Sequence, residues 1–224
     1  MGQVFFIKST GRSLKMKKLL CVAIFAFVVS LVFAQEGQAG MSGDGRSSAS
    51  GRTYNVGDSG PAGGHVFYDK GVFSGGWRYL EAAPVETEID ALWGGYGTDV
   101  PGTVTVVGSG RQNTQLIINR LRQLNEMNQL RGLGHLNDNG RAAQLCASLN
   151  FGGCNDWFLP SKDELDLMYK NLKQKGLGGF SNTGWYWSSS QDLSTNAWNQ
   201  YFRNGSQYSR LKFDTCSVRA VRAF

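Results

Sequence analysis

Helical periodicity is confined to the middle of this 224-residue chain, and short strand-like segments lie on both sides of it. Apolar residues recur every three or four positions in stretches that predict helices over 113–131, 141–149 and 161–175. Short apolar or β-branched runs bounded by turn residues predict strands over 65–68, 77–84, 103–107, 185–190, 197–203, 207–213 and 217–224. Helices grouped between strands, instead of alternating with them, indicate an α+β domain with two or three helices and several short, mostly antiparallel strands.

The third predicted helix has the clearest start. Ser161 and Glu164 have the spacing of a capping box, in which the serine accepts a bond from the third helical amide and the glutamate reaches back. The apolar stripe that follows consists of Leu165, Met168, Tyr169 and Leu172. We expect this stripe to pack on a core that includes the apolar residues 157–160.

The N-terminus has the pattern of an export signal. Three lysines precede a nearly continuous apolar run over 19–34, which ends in small or branched residues. We predict a signal peptide over residues 1–34, with translation starting at Met16. The alternative is an uncleaved membrane anchor, for which this run is short. Cys21 stands at the beginning of the run, which is the wrong end for a lipoprotein cleavage site.

Cleavage at this place leaves a tether and a globular domain. Residues 35–52 are mostly Gly, Ser, Gln and Ala, a composition that cannot bury a core, and we predict a flexible linker. Residues 53–224 form the predicted ligand-binding domain. The predicted product has no transmembrane span after cleavage, and it is exported to the cell surface, the periplasm or the medium.

The formal net charge of +6 does not indicate a nucleic-acid-binding protein. Five basic residues lie in the first 34 positions, where there is no Asp or Glu, which leaves 18 basic against 17 acidic groups in the remainder. Capture of a phosphate backbone needs a clustered basic surface. We therefore exclude nucleic acid as a partner.

Three cysteines remain after cleavage, in a compartment that permits disulfides. We expect one disulfide and one free thiol, with Cys146–Cys154 and Cys154–Cys216 as the two open pairings. No cysteine or histidine spacing resembles a metal site, so we predict neither a metal nor a cofactor. His65 and His135 are interpreted as ordinary surface or core residues.

Several motifs in order resemble one family. They are residues 57–64 (GDSGPAGG), 66–71 (VFYDKG), 152–165 (GGCNDWFLPSKDEL), 187–190 (WSSS) and 218–224 (VRAVRAF). Together they resemble the domain family named for the C-terminal domain of the Legionella collagen-like adhesin. The resemblance covers 53–224 and implies a C-type-lectin-like fold related to the formylglycine-generating enzymes, with roles in adhesion and ligand binding. The calcium-dependent sugar-binding triplets of lectins are missing from the sequence.

The tail carries a second resemblance, to the variable protein of Treponema. In that protein a retroelement diversifies the ligand-binding surface by mutating adenines in AAC codons. Apart from Gln207 and Lys212, every residue of the stretch 206–217 is one that a randomised NNC codon encodes. Tyr208, Leu211 and Phe213 also break the alternation of a strand with one buried face. The alternative is a chance composition, with Leu211 and Phe213 facing the core of an ordinary strand.

The last third of the chain therefore supplies the candidate contact residues. Aromatic and arginine side chains among small polar ones are typical of adaptable binding surfaces. The predicted ligand-binding residues are Gln191, Asp192, Ser194, Asn199, Tyr201, Arg203, Ser206, Tyr208, Ser209, Arg210, Leu211, Phe213, Asp214 and Thr215. Trp185, Trp187 and Trp198 are separate candidates for stacking on sugar rings, although we assign Trp187 to the core with the WSSS motif.

These features favour an exported, non-enzymatic protein that binds a protein or glycan ligand on host or neighbouring cells. One alternative is a fixed-sequence glycan-binding adhesin or envelope protein. Another is an oxidase like the formylglycine-generating relatives, for which Cys154 and Cys216 are the only conceivable reactive pair. The sequence leaves the oligomeric state and the ligand open.

Overall fold

Among the described residues, three helices follow one another along the chain, with three short strands before them and five after them. The structure is a computed structural model that describes residues 52–132 and 140–224. The predicted signal peptide over 1–34, nearly all of the linker over 35–52, and His135 lie outside the described residues. The elements are β1 His65–Ser74, β2 Trp77–Ala82, β3 Ile89–Leu92, α1 Gly110–Leu130, α2 Ala142–Ser148, α3 Lys162–Asn171, β4 Trp185–Gln191, β5 Asn196–Tyr201, β6 Gln207–Leu211, β7 Thr215–Val218 and β8 Val221–Ala223.

All three predicted helices are confirmed within a few residues. The periodic side chains Ile117 and Leu121 of α1 are fully buried, as the pattern requires. The capping box at the start of α3 is present, with Ser161 Oγ accepting from the Glu164 amide and Glu164 Oε2 accepting from the Ser161 amide. A single 3₁₀ turn, Lys173–Lys175, extends α3 to the end that the sequence predicts.

The strands form two sheets, one of three strands in the order β1-β2-β8 and one of five strands in the order β3-β7-β4-β5-β6. All neighbouring strands are antiparallel except β4 and β7, which run parallel. The α+β class, with three helices and short, mostly antiparallel strands, is therefore confirmed. The C-type-lectin-like topology that the resemblance implies remains a prediction.

The single strand predicted over 217–224 is two strands in different sheets. β7 ends at Val218, and β8 begins at Val221 beside β2. Between them lies Arg219, whose buried guanidinium pairs with Glu88 and donates to the carbonyls of Ala83 and Gly178. This buried ion pair fixes the chain where it passes from one sheet to the other.

The strand predicted over 103–107 is wrong, because side chains bind the backbone of this β-branched segment. Val104 donates its amide to Asn113 Oδ1, and its carbonyl accepts from Asn113 Nδ2 and Ser190 Oγ. Ser161 Oγ donates to the carbonyl of Val106. Polar side chains from α1, β4 and the start of α3 thus replace a neighbouring strand.

A buried charge cluster ties the last strand to the rest of the domain. Arg222 of β8 lies between Glu81 of β2 and Asp156, at 2.8 Å from an oxygen of each. Glu81 is completely buried, and its burial raises the pKa of the carboxyl group above the usual range. The positions of Gly60 and Gly64 leave no room for a Cβ, because it would meet Glu81 or the backbone beside it.

We predict that Arg222→Met lowers the free energy of unfolding by about 3–5 kcal/mol, because it leaves the carboxylate of Glu81 buried without its cation. The matched control is Arg78→Met, which breaks the partly exposed pair between Arg78 and Asp69 and should cost much less, because water screens this pair. Chemical denaturation of both variants measures the difference. Equal losses in the two variants would show that the buried cluster has no special role.

Candidate ligand-binding surface

The hairpins of β4, β5 and β6 bring four large side chains to one face of the five-stranded sheet. Trp185 pairs with Tyr201 across β4 and β5, Asn199 pairs with Tyr208, and Ala197 pairs with Arg210 across β5 and β6. Paired residues lie on the same side of a sheet, and so do alternate residues of one strand. We call the surface formed by Trp185, Tyr201, Tyr208 and Arg210 the aromatic face.

The rings of the aromatic face contact one another. Tyr201 stacks on Trp185 with the ring centroids 4.4 Å apart and an angle of 17° between the planes. Tyr208 meets the same indole at 5.2 Å, tilted by 59°. Tyr208 keeps 45% of its surface exposed, whereas Trp185 and Tyr201 are half-buried. The result is a supported aromatic surface with Tyr208 as its most accessible ring.

Arg210 adds a positive charge with a fixed orientation. Its guanidinium carbon lies 5.1 Å from the centroid of the Trp185 ring, within the range of a cation–π contact. Its Nε atom donates to Asp214 Oδ2 at 2.9 Å, and about a third of each side chain is exposed. The planar group is thereby held against the indole.

Asn199 lies beneath the aromatic face. It is 1% exposed, and its Nδ2 atom is 3.6 Å from Cys216 Sγ. Its Oδ1 atom is buried and has no hydrogen-bond partner among the described residues. A buried amide oxygen without a partner is costly and uncommon.

The turn between β6 and β7 contains a buried lysine, Lys212. Lys212 has no exposed surface, and its Nζ atom donates to the carbonyl of Thr98 and to Gln191 Oε1. Burial lowers the pKa of Lys212 to about 8. Gln191, one of the predicted contact residues, also accepts from the Val100 amide, so its side-chain oxygen is used inside the domain.

The structure brings only part of the predicted contact set together. Asn199, Tyr201, Tyr208, Arg210 and Asp214 meet at the aromatic face. Ser209 and Leu211 lie on the opposite side of β6, where Ser209 Oγ donates to Asp192. Phe213 contacts Tyr96 in the turn after β6, with both rings about half exposed. The remaining predicted residues lie in turns or at a strand end, and they are Ser194, Arg203, Ser206 and Thr215.

The three candidate tryptophans differ in burial and in the side of the sheet on which they lie. Trp187 is fully buried, as predicted, and its indole donates to the carbonyl of Ala91. Trp198 lies on the other side of the sheet, with Lys162 Nζ 3.4 Å from its ring centroid. Trp185 is the centre of the aromatic face. It shares a strand face with Trp187, so alternation alone cannot show which of the two rings is accessible.

The expected disulfide is wrong, because Cys146, Cys154 and Cys216 are all free thiols. Cys146 and Cys216 are buried, and burial raises the pKa of both thiols, that of Cys216 to about 11. Cys154 is half-buried and packs against the apolar core that contains Cys146 and Cys216.

Within residues 52–132 and 140–224, no group of His, Cys, Asp or Glu has an arrangement that could hold a metal ion. His65 lies in β1, with its Nδ1 atom 3.4 Å from the carbonyl oxygen of Gly57. In the same described ranges, no helix has the length and apolar character needed to cross a bilayer.

The fold and this surface define the class as an α+β domain with an exposed aromatic sheet face. Residues 111–222 match the family model described as the Lcl C-terminal domain. The chain belongs to this family, which is the one indicated by its sequence motifs. No curated protein matches the chain.

Among solved structures, the chain is similar to a fimbrial protein from Bacteroides ovatus, with 10% sequence identity and a TM-score of 0.39. The match covers 66% of this chain and 36% of the fimbrial protein. The chain thus spans about a third of the length of that protein.

We predict that only Cys154, of the three described cysteines, reacts readily with an aromatic disulfide reagent at pH 8. A thiol with a pKa of about 11 has roughly one molecule in a thousand ionised at this pH, and burial also blocks access to Cys216 and Cys146. Absorbance of the released thiol measures the reaction in native and denatured protein. The Cys154→Ser variant serves as the control and should show almost no reaction before unfolding. Fast reaction of Cys216 in the native protein would contradict the prediction.

Proposed function

We propose that this chain is an exported, non-enzymatic binding protein that recognises a protein or glycan on host or neighbouring cells through the aromatic face. The observation that carries the proposal is the cluster of Trp185, Tyr201, Tyr208 and Arg210 on an accessible part of the sheet. Trp, Tyr and Arg are the residues that most often dominate binding energy at protein surfaces. Membership of the Lcl C-terminal domain family supports an adhesin-like role.

The support behind the face favours binding without rearrangement. β5 packs on α3 through Gln200, whose Nε2 donates to Asp166, while the rings of the face hold one another on the other side. Side chains that are fixed before binding lose little entropy when a ligand arrives.

Diversification of this surface by a retroelement is the finer part of the proposal. The stretch 206–217 contains two residues that NNC codons do not encode, and both have roles inside the domain. Gln207 donates from its side-chain Nε2 atom to the carbonyl of Lys162 at the start of α3, and Lys212 is the buried lysine between β6 and β7. Tyr208 and Arg210, which such codons do encode, belong to the aromatic face. A fixed framework with replaceable surface residues supports the proposal.

The state of the cysteines supports a non-enzymatic role. An oxidase of the formylglycine-generating type needs a reactive cysteine pair, and Cys154 and Cys216 were the candidates. Burial raises the pKa of Cys216 to about 11, which opposes formation of the reactive thiolate. Cys216 contacts Asn199 beneath the face.

A fixed-sequence glycan-binding adhesin or envelope protein is the second candidate. The stacked pair of Trp185 and Tyr201 favours it, because aromatic rings of this kind stack on sugars as well as on protein side chains. The two candidates differ in whether the gene varies between clones.

We predict that the 3′ end of the gene, sequenced from many clones of one strain, differs between clones at codons for surface positions that include Tyr208 and Arg210. The codons for Gln207 and Lys212 should be constant, because these side chains hold the framework. The changes should coincide with adenines in a nearby template copy. Identical codons over 191–217 in all clones, with no template copy, would contradict diversification and favour the fixed-sequence adhesin or envelope protein.

We also predict that Tyr208→Ala and Arg210→Ala each weaken binding about tenfold or more, because central aromatic and arginine residues carry most of the energy of a contact. Binding is measured on an array of immobilised glycans and extracellular proteins, and titrated with whichever member binds. Both variants should keep the melting temperature, because surface changes of this kind alter stability by about 0.5 kcal/mol or less.

The control for these variants is Arg122→Ala, an exposed arginine on α1. It removes the same charge as Arg210→Ala at a place away from the aromatic face, and it should leave binding unchanged. Equal loss in the control would indicate a general charge effect, and full binding by Tyr208→Ala and Arg210→Ala would place the binding surface elsewhere.

A further inference from the structure

β6 is an edge strand of the five-stranded sheet and pairs only with β5 among the described strands. Along β6, residues whose backbone amide and carbonyl bond to β5 alternate with residues whose backbone groups point away from β5. Tyr201 donates its amide to the carbonyl of Ser206, and Lys212 donates to the carbonyl of Thr195, so the even-numbered residues of this segment bond to β5. The amides and carbonyls of Gln207, Ser209 and Leu211 therefore face outward.

Most of these outward groups have no hydrogen-bond partner. The carbonyl of Leu211 accepts from the Asp214 amide in the following turn. The amide and carbonyl of Gln207, the amide and carbonyl of Ser209, and the amide of Leu211 have none among the residues that the structure describes. This gives a regular row of donors and acceptors with the spacing of an extended strand.

The three-stranded sheet has β1 and β8 as its edge strands, and neither offers a regular, free edge. β1 has register shifts between Val66 and Tyr68 and between Asp69 and Ser74, while Val221 of β8 exchanges two backbone hydrogen bonds with Phe158. Edge strands of natural proteins are commonly guarded by irregularities or covering segments, because an open edge pairs with other chains. β6 has neither device, since its pairing with β5 is regular over five consecutive residues.

The open edge adjoins the aromatic face. Tyr208 and Arg210 alternate with the outward-facing backbone groups of Gln207, Ser209 and Leu211 along the same strand. A strand added next to β6 would therefore set its own side chains beside Tyr208 and Arg210, in the positions of cross-strand neighbours. Backbone pairing and side-chain contact would act on the same ligand.

We propose that the ligand is a protein that adds an extended segment to the edge of β6, as an additional strand whose alternate side chains contact the aromatic face. This inference rests on the proposed function and narrows its ligand from a protein or glycan to an extended polypeptide. Main-chain bonds are independent of side-chain identity, and pockets for alternate side chains give selectivity. Pairing at Ser209 thus supplies a constant part of the affinity while the residues at 208 and 210 change.

The test is a selection of binders from a random-peptide phage library against the full chain, followed by titration of the selected peptides. Ser209→Pro removes the outward amide and places a ring in the path of the added strand, while the bonds of Tyr208 and Arg210 to β5 remain. Proline is tolerated on the outer side of an edge strand, and the melting temperature of the variant checks its folding. We expect binding to weaken about tenfold or more, since one main-chain bond and the close approach are lost.

Two controls separate the backbone from the side chain. Ser209→Ala removes the hydroxyl group and its bond to Asp192 but keeps the amide, so the difference in affinity between Ser209→Ala and Ser209→Pro measures the contribution of the backbone. Each selected peptide is made in two N-methylated forms, one with the odd-numbered amides methylated and one with the even-numbered amides methylated. Only the form that blocks the amides facing β6 should lose binding. This second measurement leaves the protein unchanged, so it holds even if Ser209→Pro fails to fold.

The outcomes distinguish this inference from the proposed function. Binding that is lost in Tyr208→Ala but kept in Ser209→Pro and by both N-methylated series would confirm the aromatic face and overturn strand addition. Binding that survives all these changes would overturn both. The absence of any selected peptide, or a dimer in sedimentation that Ser209→Pro dissociates, would overturn an external peptide as the occupant.

Discussion

The domain depends on an arginine in its last strand being paired with two carboxylates from distant parts of the chain. Arg222 of β8 joins Glu81 of β2 to Asp156, which precedes the buried residues 157–160. Removing one partner of a buried ion pair costs several kcal/mol, so this pairing favours the position that the end of the chain has here. Arg219 fixes the preceding residues through Glu88, and β7 is thereby set between β3 and β4.

Another carboxylate, that of Glu164, connects two of the helices. Glu164 completes the capping box of α3, but its Oε1 atom also accepts from the amides of Gly108 and Gly110 at the start of α1. The first turns of α1 and α3 therefore meet at one buried group, and burial raises the pKa of its carboxyl. Because α3 packs on β5 through Asp166 and Gln200, this contact also supports the sheet that carries the aromatic face.

The sequence was sufficient where the determining interactions are local. Periodicity placed α1 and α3, and the spacing of Ser161 and Glu164 located the cap, because these depend on residues three or four positions apart. It failed at 103–107, where β-branched composition indicated a strand but the backbone partners are side chains as distant as Ser190. Alternation also gives no distinction between Trp185 and Trp187, which share a strand face, since the burial of a ring on a strand is decided by what packs on it from elsewhere.

The break in alternation over 208–216 has a physical cause other than variability. β6 ends at Leu211, and the chain turns through 212–214 to pass the ends of β5 and β4 before β7 begins. The change of parity is therefore a consequence of topology and gives no support to diversification. Support comes from Gln207 and Lys212, whose side chains bond inside the domain. Since the side chains of Gln207 and Lys212 bond to other parts of the domain, we expect that Tyr208 and Arg210 can be replaced without loss of the strand that carries them.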